Sequence, residues 1–219
     1  MSIRLHYRVS SAPTVQRATD TVAALHALAR EPSFGFADVS AVSEYFGRAG
    51  DFNNYAVGTL DREILIDLSL ASDVREGEAI GFWVTLERAS RCGFTLGLGR
   101  FGNARTWSCD TSSDNLAGMT VPESGGIAGF IDRYTLLLAF FAAAQERGLV
   151  KSFSDETGFK RHRDPDRLRD VVRADQEQVA ALFGRLKDHF PDDQVTSYVT
   201  AFPDFERLEA DGRRGEPPA

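Results

Sequence analysis

Two short segments hold most of the groups in this sequence that could do chemistry. Trp107-Ser108-Cys109-Asp110 brings together an indole, a thiol and a carboxylate, and Ser154-Asp155-Glu156-Thr157-Gly158-Phe159 supplies two adjacent carboxylates. Adjacent carboxylates can divide acid and base roles or hold a cation. A thiol is nucleophilic only as the thiolate, which a nearby carboxylate disfavours. Trp107, Cys109, Asp155 and Glu156 are therefore read as ligand-binding candidates that converge on one concavity at the ends of two strands. Binding through the indole and the carboxylates stands ahead of a nucleophilic Cys109, and no catalytic residue is assigned. The competing account is turn chemistry, with Asp and Gly shaping the loop and Phe159 plugging the edge of the core.

A second constellation is the polar side of a sheet: Arg4, His6 and Arg8 on one strand, Asp67 on another, Trp83 and Glu87 on a third. Such a face can take an anionic or aromatic ligand, or it can simply pair charges across strands in water. Gly97-Leu98-Gly99-Arg100-Phe101-Gly102 spells the dinucleotide-binding pattern G-x-G-x-x-G, but that pattern works only where a helix follows and presents its N-terminus to the pyrophosphate. Asn103 to Asp110 has no helical period. Glycines on one side of a strand, leaving room for a neighbour, are the simpler account.

Glu123-Ser124-Gly125-Gly126 is half of a nucleophile elbow, with Pro122 where the first glycine belongs. The four histidines (His6, His26, His162, His189) are dispersed, so no metal site and no cofactor are expected. The run Lys160-Arg-His-Arg-Asp-Pro-Asp-Arg-Leu-Arg169 interleaves its cations with Asp164 and Asp166, which suits the solvated start of a helix better than a phosphate cradle.

Composition narrows the class. The 219 residues are 42% hydrophobic and 26% charged, with a net charge of −7. Those proportions belong to a globular chain. Nothing supplies the basic excess that phosphate neutralisation requires, so nucleic acid is not an expected partner. The two cysteines, Cys92 and Cys109, are too few for a disulfide framework and fit a reducing compartment. The N-terminus lacks an apolar signal core, and the stretch Tyr134 to Ala144 is shorter than the roughly 20 residues of a bilayer span. A cytoplasmic protein without a membrane partner is the expectation.

The elements that must position these groups follow from periodicity. Ile3, Leu5, Tyr7 and Val9 alternate with Arg4, His6 and Arg8 in a half-buried strand. A helix from Pro13 or Thr14 to about Arg30 follows, stopped by Pro32. Residues 36–46 read as a strand. Alternation in 63–70, 80–86 and 94–98 reads as an antiparallel meander with one covered face. A short strand is expected near Arg105 to Ser108. From Gly126 to Arg147 the period is helical and apolar nearly all round, the mark of a core helix, with Gly148 as its left-handed cap. A strand at 149–153 follows, then a long helix with Asp164 as N-cap and Pro165 at its first position, stopped by Pro191. Val195 to Phe202 reads as a last strand or arm.

Trp107-Ser108-Cys109, the Gly148-Leu149 exit leading to Ser154-Asp155-Glu156 and Gly158-Phe159, and Phe202-Pro-Asp-Phe-Glu-Arg-Leu-Glu-Ala210 resemble a family of uncharacterised bacterial proteins. The likeness covers much of the chain, most clearly its second half. That family has no assigned activity, so the resemblance implies no function. Similar sequences tend to carry a lysine after the cysteine; here it is Asp110, which weakens thiolate activation.

The expected fold is α+β: a largely antiparallel, mixed sheet of about six strands with three helices packed on one face. One domain is expected over 1–208, with a frayed polar tail over 209–219. The expected role is binding, of another protein or a small molecule. The alternative is a small-molecule enzyme using the loops around Cys109, Asp155 and Glu156.

Overall fold

The computed structural model describes residues 3–48, 76–88, 92–113, 116–189 and 202–214. The fold is α+β. Strand β1 (Leu5–Ala12) leads into α1 (Val15–Ala29), whose first turn is capped by the Thr14 hydroxyl accepting from the Arg17 amide. A 3-10 turn (Pro32–Phe34) then leads to β2 (Asp38–Val39) and β3 (Ser43–Arg48). β4 (Glu76–Glu87), β5 (Cys92–Phe101) and β6 (Trp107–Ser113) form the meander. Two 3-10 turns, Leu116–Thr120 and Pro122–Ser124, carry the chain to α2 (Gly126–Glu146) and β7 (Val150–Asp155). Short α3 (Phe159–His162), long α4 (Pro165–Lys187) and α5 (Phe205–Arg214) complete the described chain.

All described strand pairs are antiparallel, in the order β2-β4-β5-β6-β1-β7, with β3 also on β4. The two halves of the sheet are joined narrowly: β5 and β6 share the single register pair Gly99–Ser108. Beyond that point the strands part, and the Tyr7 hydroxyl donates across the gap to the Thr95 carbonyl.

The core lies between this sheet and α1 and α2. Ile80, Phe82, Val84 and Leu86 of β4 and Phe94, Leu96 and Leu98 of β5 are buried, as their alternation requires. On α2, Phe130, Tyr134, Leu137, Leu138, Phe140 and Phe141 are fully buried. Phe140 and Phe141 join Tyr7, Phe34, Phe36, Phe94 and Phe153 in one aromatic cluster of edge-on and tilted contacts. By length and composition α2 could also cross a membrane; here it packs on β7, α1 and α4. Gly148 follows α2 with φ of 71°, the left-handed conformation that closes a helix.

The third helix, α4, packs against α2 and adds Leu168 and Val172 to the common core, and α5 packs on α4. Three expectations are corrected. The stretch 36–46 is not one strand: Ser40 interrupts it, because its hydroxyl accepts from the Trp83 amide and its carbonyl meets His26 Nε2. The strand expected at 105–108 begins at Trp107 and runs to Ser113. The polar tail expected from residue 209 is helical through Arg214. The strand expected at 63–70 and most of 195–202 lie outside the described residues.

Candidate functional site

Asp155 ends β7 on the covered side of the sheet and is the most engaged polar group in the described chain. Its Oδ1 accepts from the Tyr134 hydroxyl at 3.0 Å, from the Thr157 amide at 2.8 Å and from the Thr157 hydroxyl. Its Oδ2 accepts from the Lys160 amide at 2.6 Å. The carboxylate therefore holds the turn 155–158 and the start of α3, as an Asx-type cap does. Tyr134 is fully buried, and burial first, then the charge of Asp155, pushes its phenol far above the ordinary tyrosine value. Phe159 is buried beneath the loop and Tyr134 lies between it and Phe130. Turn chemistry accounts for the bonds from Thr157 and Lys160, and the Tyr134 hydroxyl ties that turn to α2.

Glu156 turns the other way. Its Oε1 meets His6 Nε2 at 2.8 Å, and His6 lies between the core residues Leu5 and Tyr7, so its side chain stands on the opposite face of the sheet. Two carboxylates on opposite faces cannot share a substrate as an acid–base pair. On that open face Arg8 forms an ion pair with Asp110, and Ser152 and Ser154 lie in register with Arg8 and His6. The cross-strand pairing expected of a solvated face is what β1 shows. Trp83 and Glu87 do not join it, being three strands away on β4, and Glu87 accepts from the Ser124 hydroxyl at 2.7 Å. Asp67 lies outside the described residues.

Trp107 and Cys109 are core residues, 0% and 2% exposed. Both point to the covered side, opposite Ala12 and Val9 of β1, whereas Asp155 sits opposite Leu5. Cys109 and Asp155 are thus four positions apart along β1 (Val9 against Leu5) and on strands either side of it, a separation of about 16 Å from strand spacings. For Trp107, two residues further along β6, the same geometry gives about 22 Å. The four residues do not converge. Trp107 lies instead under the Arg100 guanidinium, 5.5 Å from its ring centroid, while Arg100 pairs with Glu78. Among the described residues the indole Nε1 has no hydrogen-bond partner.

The glycine pattern is also architectural. β5 continues through Phe101 into a turn at Gly102 and then β6, so the helix N-terminus that a pyrophosphate needs does not follow. The Phe101 ring lies on Gly99 and Gly77; a Cβ on Gly99 would stand 2.1 Å from it. Among the described residues no three His, Cys, Asp or Glu side chains group to hold a metal ion.

What periodicity did not reveal is a cleft of about 430 Å³ at the C-terminal end of α1. Its wall is Ala29 to Pro32, Gly35, Phe36, Asp38 and Val39. Gly35 makes it possible: its φ of 62° reverses the chain after the 3-10 turn, and Leu136 lies 3.2 Å from where a Cβ would stand. Glu31 is held by Arg147 at 3.0 Å, but among the described residues no ion pair engages Arg30 or Asp38. The one signal for it in the sequence is Glu31-Pro32-Ser33-Phe34-Gly35, a helix stop followed by a glycine turn.

No family model, no curated protein and no solved structure matches this chain.

Proposed function

We propose that this chain is a binding protein and that the cleft at the end of α1 receives a small zwitterion, of the class of a free amino acid or dipeptide. The observation that carries this reading is the cleft's lining, which is mostly polar: among the described residues no ion pair engages its Arg30 guanidinium or its Asp38 carboxylate, and Phe36 and Val39 add a smaller apolar share. A volume near 430 Å³ lies within the range of small-ligand sites. Opposite charges on the wall of one concavity fix a ligand's orientation, and the smaller apolar share adds contact area. The enzyme alternative loses its support, because Cys109, Asp155 and Glu156 point to separate places.

The test is a titration of the isotopically labelled protein with leucine, phenylalanine and their dipeptides, followed by amide chemical shifts. Saturable shifts confined to residues 29–39 are expected, weakened when the ligand's amine is acetylated and again in Asp38→Asn. Removal of the ligand's carboxylate should mimic Arg30→Gln. Binding weaker than about 10 mM for every member, or shifts centred elsewhere, overturns the proposal.

A further inference from the structure

β7 is an edge strand, paired on one side to β1 and bordered by no further described strand. The Glu156 amide donates to the Arg4 carbonyl, and Ser154 and Ser152 follow in register with His6 and Arg8. Even-numbered residues therefore bond inward to β1, and the backbone groups of Lys151, Phe153 and Asp155 point outward. An edge of this kind is a template for another strand unless something occupies it.

Here all three outward carbonyls are occupied from within the chain. Gln145 Nε2, at the end of α2, donates to the Lys151 carbonyl at 3.2 Å. Lys160 Nζ, on α3, donates to the Phe153 carbonyl at 2.8 Å and lies 3.5 Å from the Phe153 ring centroid. The Gly158 amide closes on the Asp155 carbonyl at 3.4 Å. Two of these donors are long side chains reaching from separate helices, 15 positions apart in the chain (145 and 160), to successive outward carbonyls. Both side chains belong to exposed residues, whose ordering on the edge costs rotamer entropy that no core contact requires.

We infer that Gln145 and Lys160 are guards that close the β7 edge against a second copy of this chain. The geometry also defines what they exclude. A twofold axis through Phe153 would set Phe153 of each copy in a hydrogen-bonded pair and place Lys151 across from Asp155, not like charge against like charge. A second copy is thus the partner that fits this edge once it is unguarded. A donor side chain on the Lys151 and Phe153 carbonyls blocks that pairing, because an incoming amide finds both taken and meets the ammonium group at Phe153.

The experiment compares wild type with the double variant Gln145→Leu, Lys160→Met. Methionine keeps an apolar stem over the Phe153 ring while removing the donor, and the Lys160 amide still caps Asp155. Sedimentation velocity over about 5–200 µM and amide exchange at Phe153 are read together. Wild type is expected not to pair through β7, its Phe153 amide exchanging at a rate independent of concentration. The double variant is expected to dimerise at least about tenfold more tightly, with its Phe153 amide protected as concentration rises. Each single variant should be intermediate, which keeps the test decisive if the double variant fails to fold. Variants that fold and stay monomeric overturn the inference, as does association that leaves Phe153 exchange unchanged. So does a wild type that already protects Phe153 by self-association.

Discussion

Replacing Asp155 with alanine tests whether the Asp155 carboxylate is scaffold or site. Four donors lose their acceptor: the Tyr134 hydroxyl, the Thr157 amide and hydroxyl, and the Lys160 amide. Tyr134 is fully buried and Thr157 is 5% exposed, so water cannot replace the carboxylate for them. An unsatisfied buried donor costs about 1–3 kcal/mol, and bonds to a charged acceptor are at the strong end of the range. The Lys160 amide is near solvent and recovers much of its loss. The sum is about 3–5 kcal/mol, which in a chain of this size lowers the melting temperature by on the order of 10 °C. Tyr134→Phe removes donor and demand together and should cost only about 1 kcal/mol. Urea melts of the two single variants and the double variant close a cycle, with an expected coupling of about 1 kcal/mol or more. An Asp155→Ala protein within about 1 kcal/mol of wild type, or a coupling below about 0.3 kcal/mol, would refute the reasoning.

Tyr134 adds a pH dependence. Its folded-state pKa is raised above the unfolded value of 10.0, so its contribution is intact below that pH and is lost as pH rises past it. Stability measured from pH 8 to 11 should fall less steeply in Tyr134→Phe than in wild type; equal slopes would contradict the assignment. Phe130→Ala and Leu137→Ala, both at fully buried positions of α2, should each cost roughly 2–5 kcal/mol in a denaturant melt, and less than about 0.5 kcal/mol for both would remove α2 from the core. Cys92 and Cys109 are 0% and 2% exposed, so a thiol reagent should modify neither until the chain unfolds; rapid native labelling of Cys109 would restore it as a reactive group.

The parts of the fold that were legible are those where one physical rule dominated. Alternation gave β1, β4 and β5, because a strand with one covered face must place Ile80, Phe82, Val84 and Leu86 on the same side. The near-continuous apolarity of 126–147 gave α2 and its burial. The misreadings arose where tertiary contacts outweighed local pattern. Residues 209–214 look too polar to order, yet Arg207, Arg213 and Arg214 form ion pairs with Asp204, Asp211, Glu209 and Asp188. Gly212 also lets α5 approach α4 so closely that a Cβ would stand 2.1 Å from the Glu177 carbonyl oxygen. Neither effect is visible from composition. The cleft was illegible for a related reason: it is made by the angle between α1, the 3-10 turn and β2, and no single residue announces it.

The candidate site failed for a reason that strand register makes explicit. β6 and β7 both pair antiparallel with β1, so they run in the same direction and leave the sheet at the same end. At that end Ser113 and Asp155 both lie opposite Leu5, one on each side of β1. Trp107 is at the other end, where β6 enters the sheet. Placing the strand at 105–108 put its exit at Trp107 to Asp110, whereas the strand runs on to Ser113. The pattern that would have corrected this is Trp107, Cys109 and Ser113 buried against Ser108 and Asp110 exposed, a period of two masked by small and polar residues on the buried side. An indole and a thiol read as loop chemistry are thus two steps of one strand's inward face. Across Leu5 from Asp155 is the buried Ser113, whose hydroxyl has no hydrogen-bond partner among the described residues.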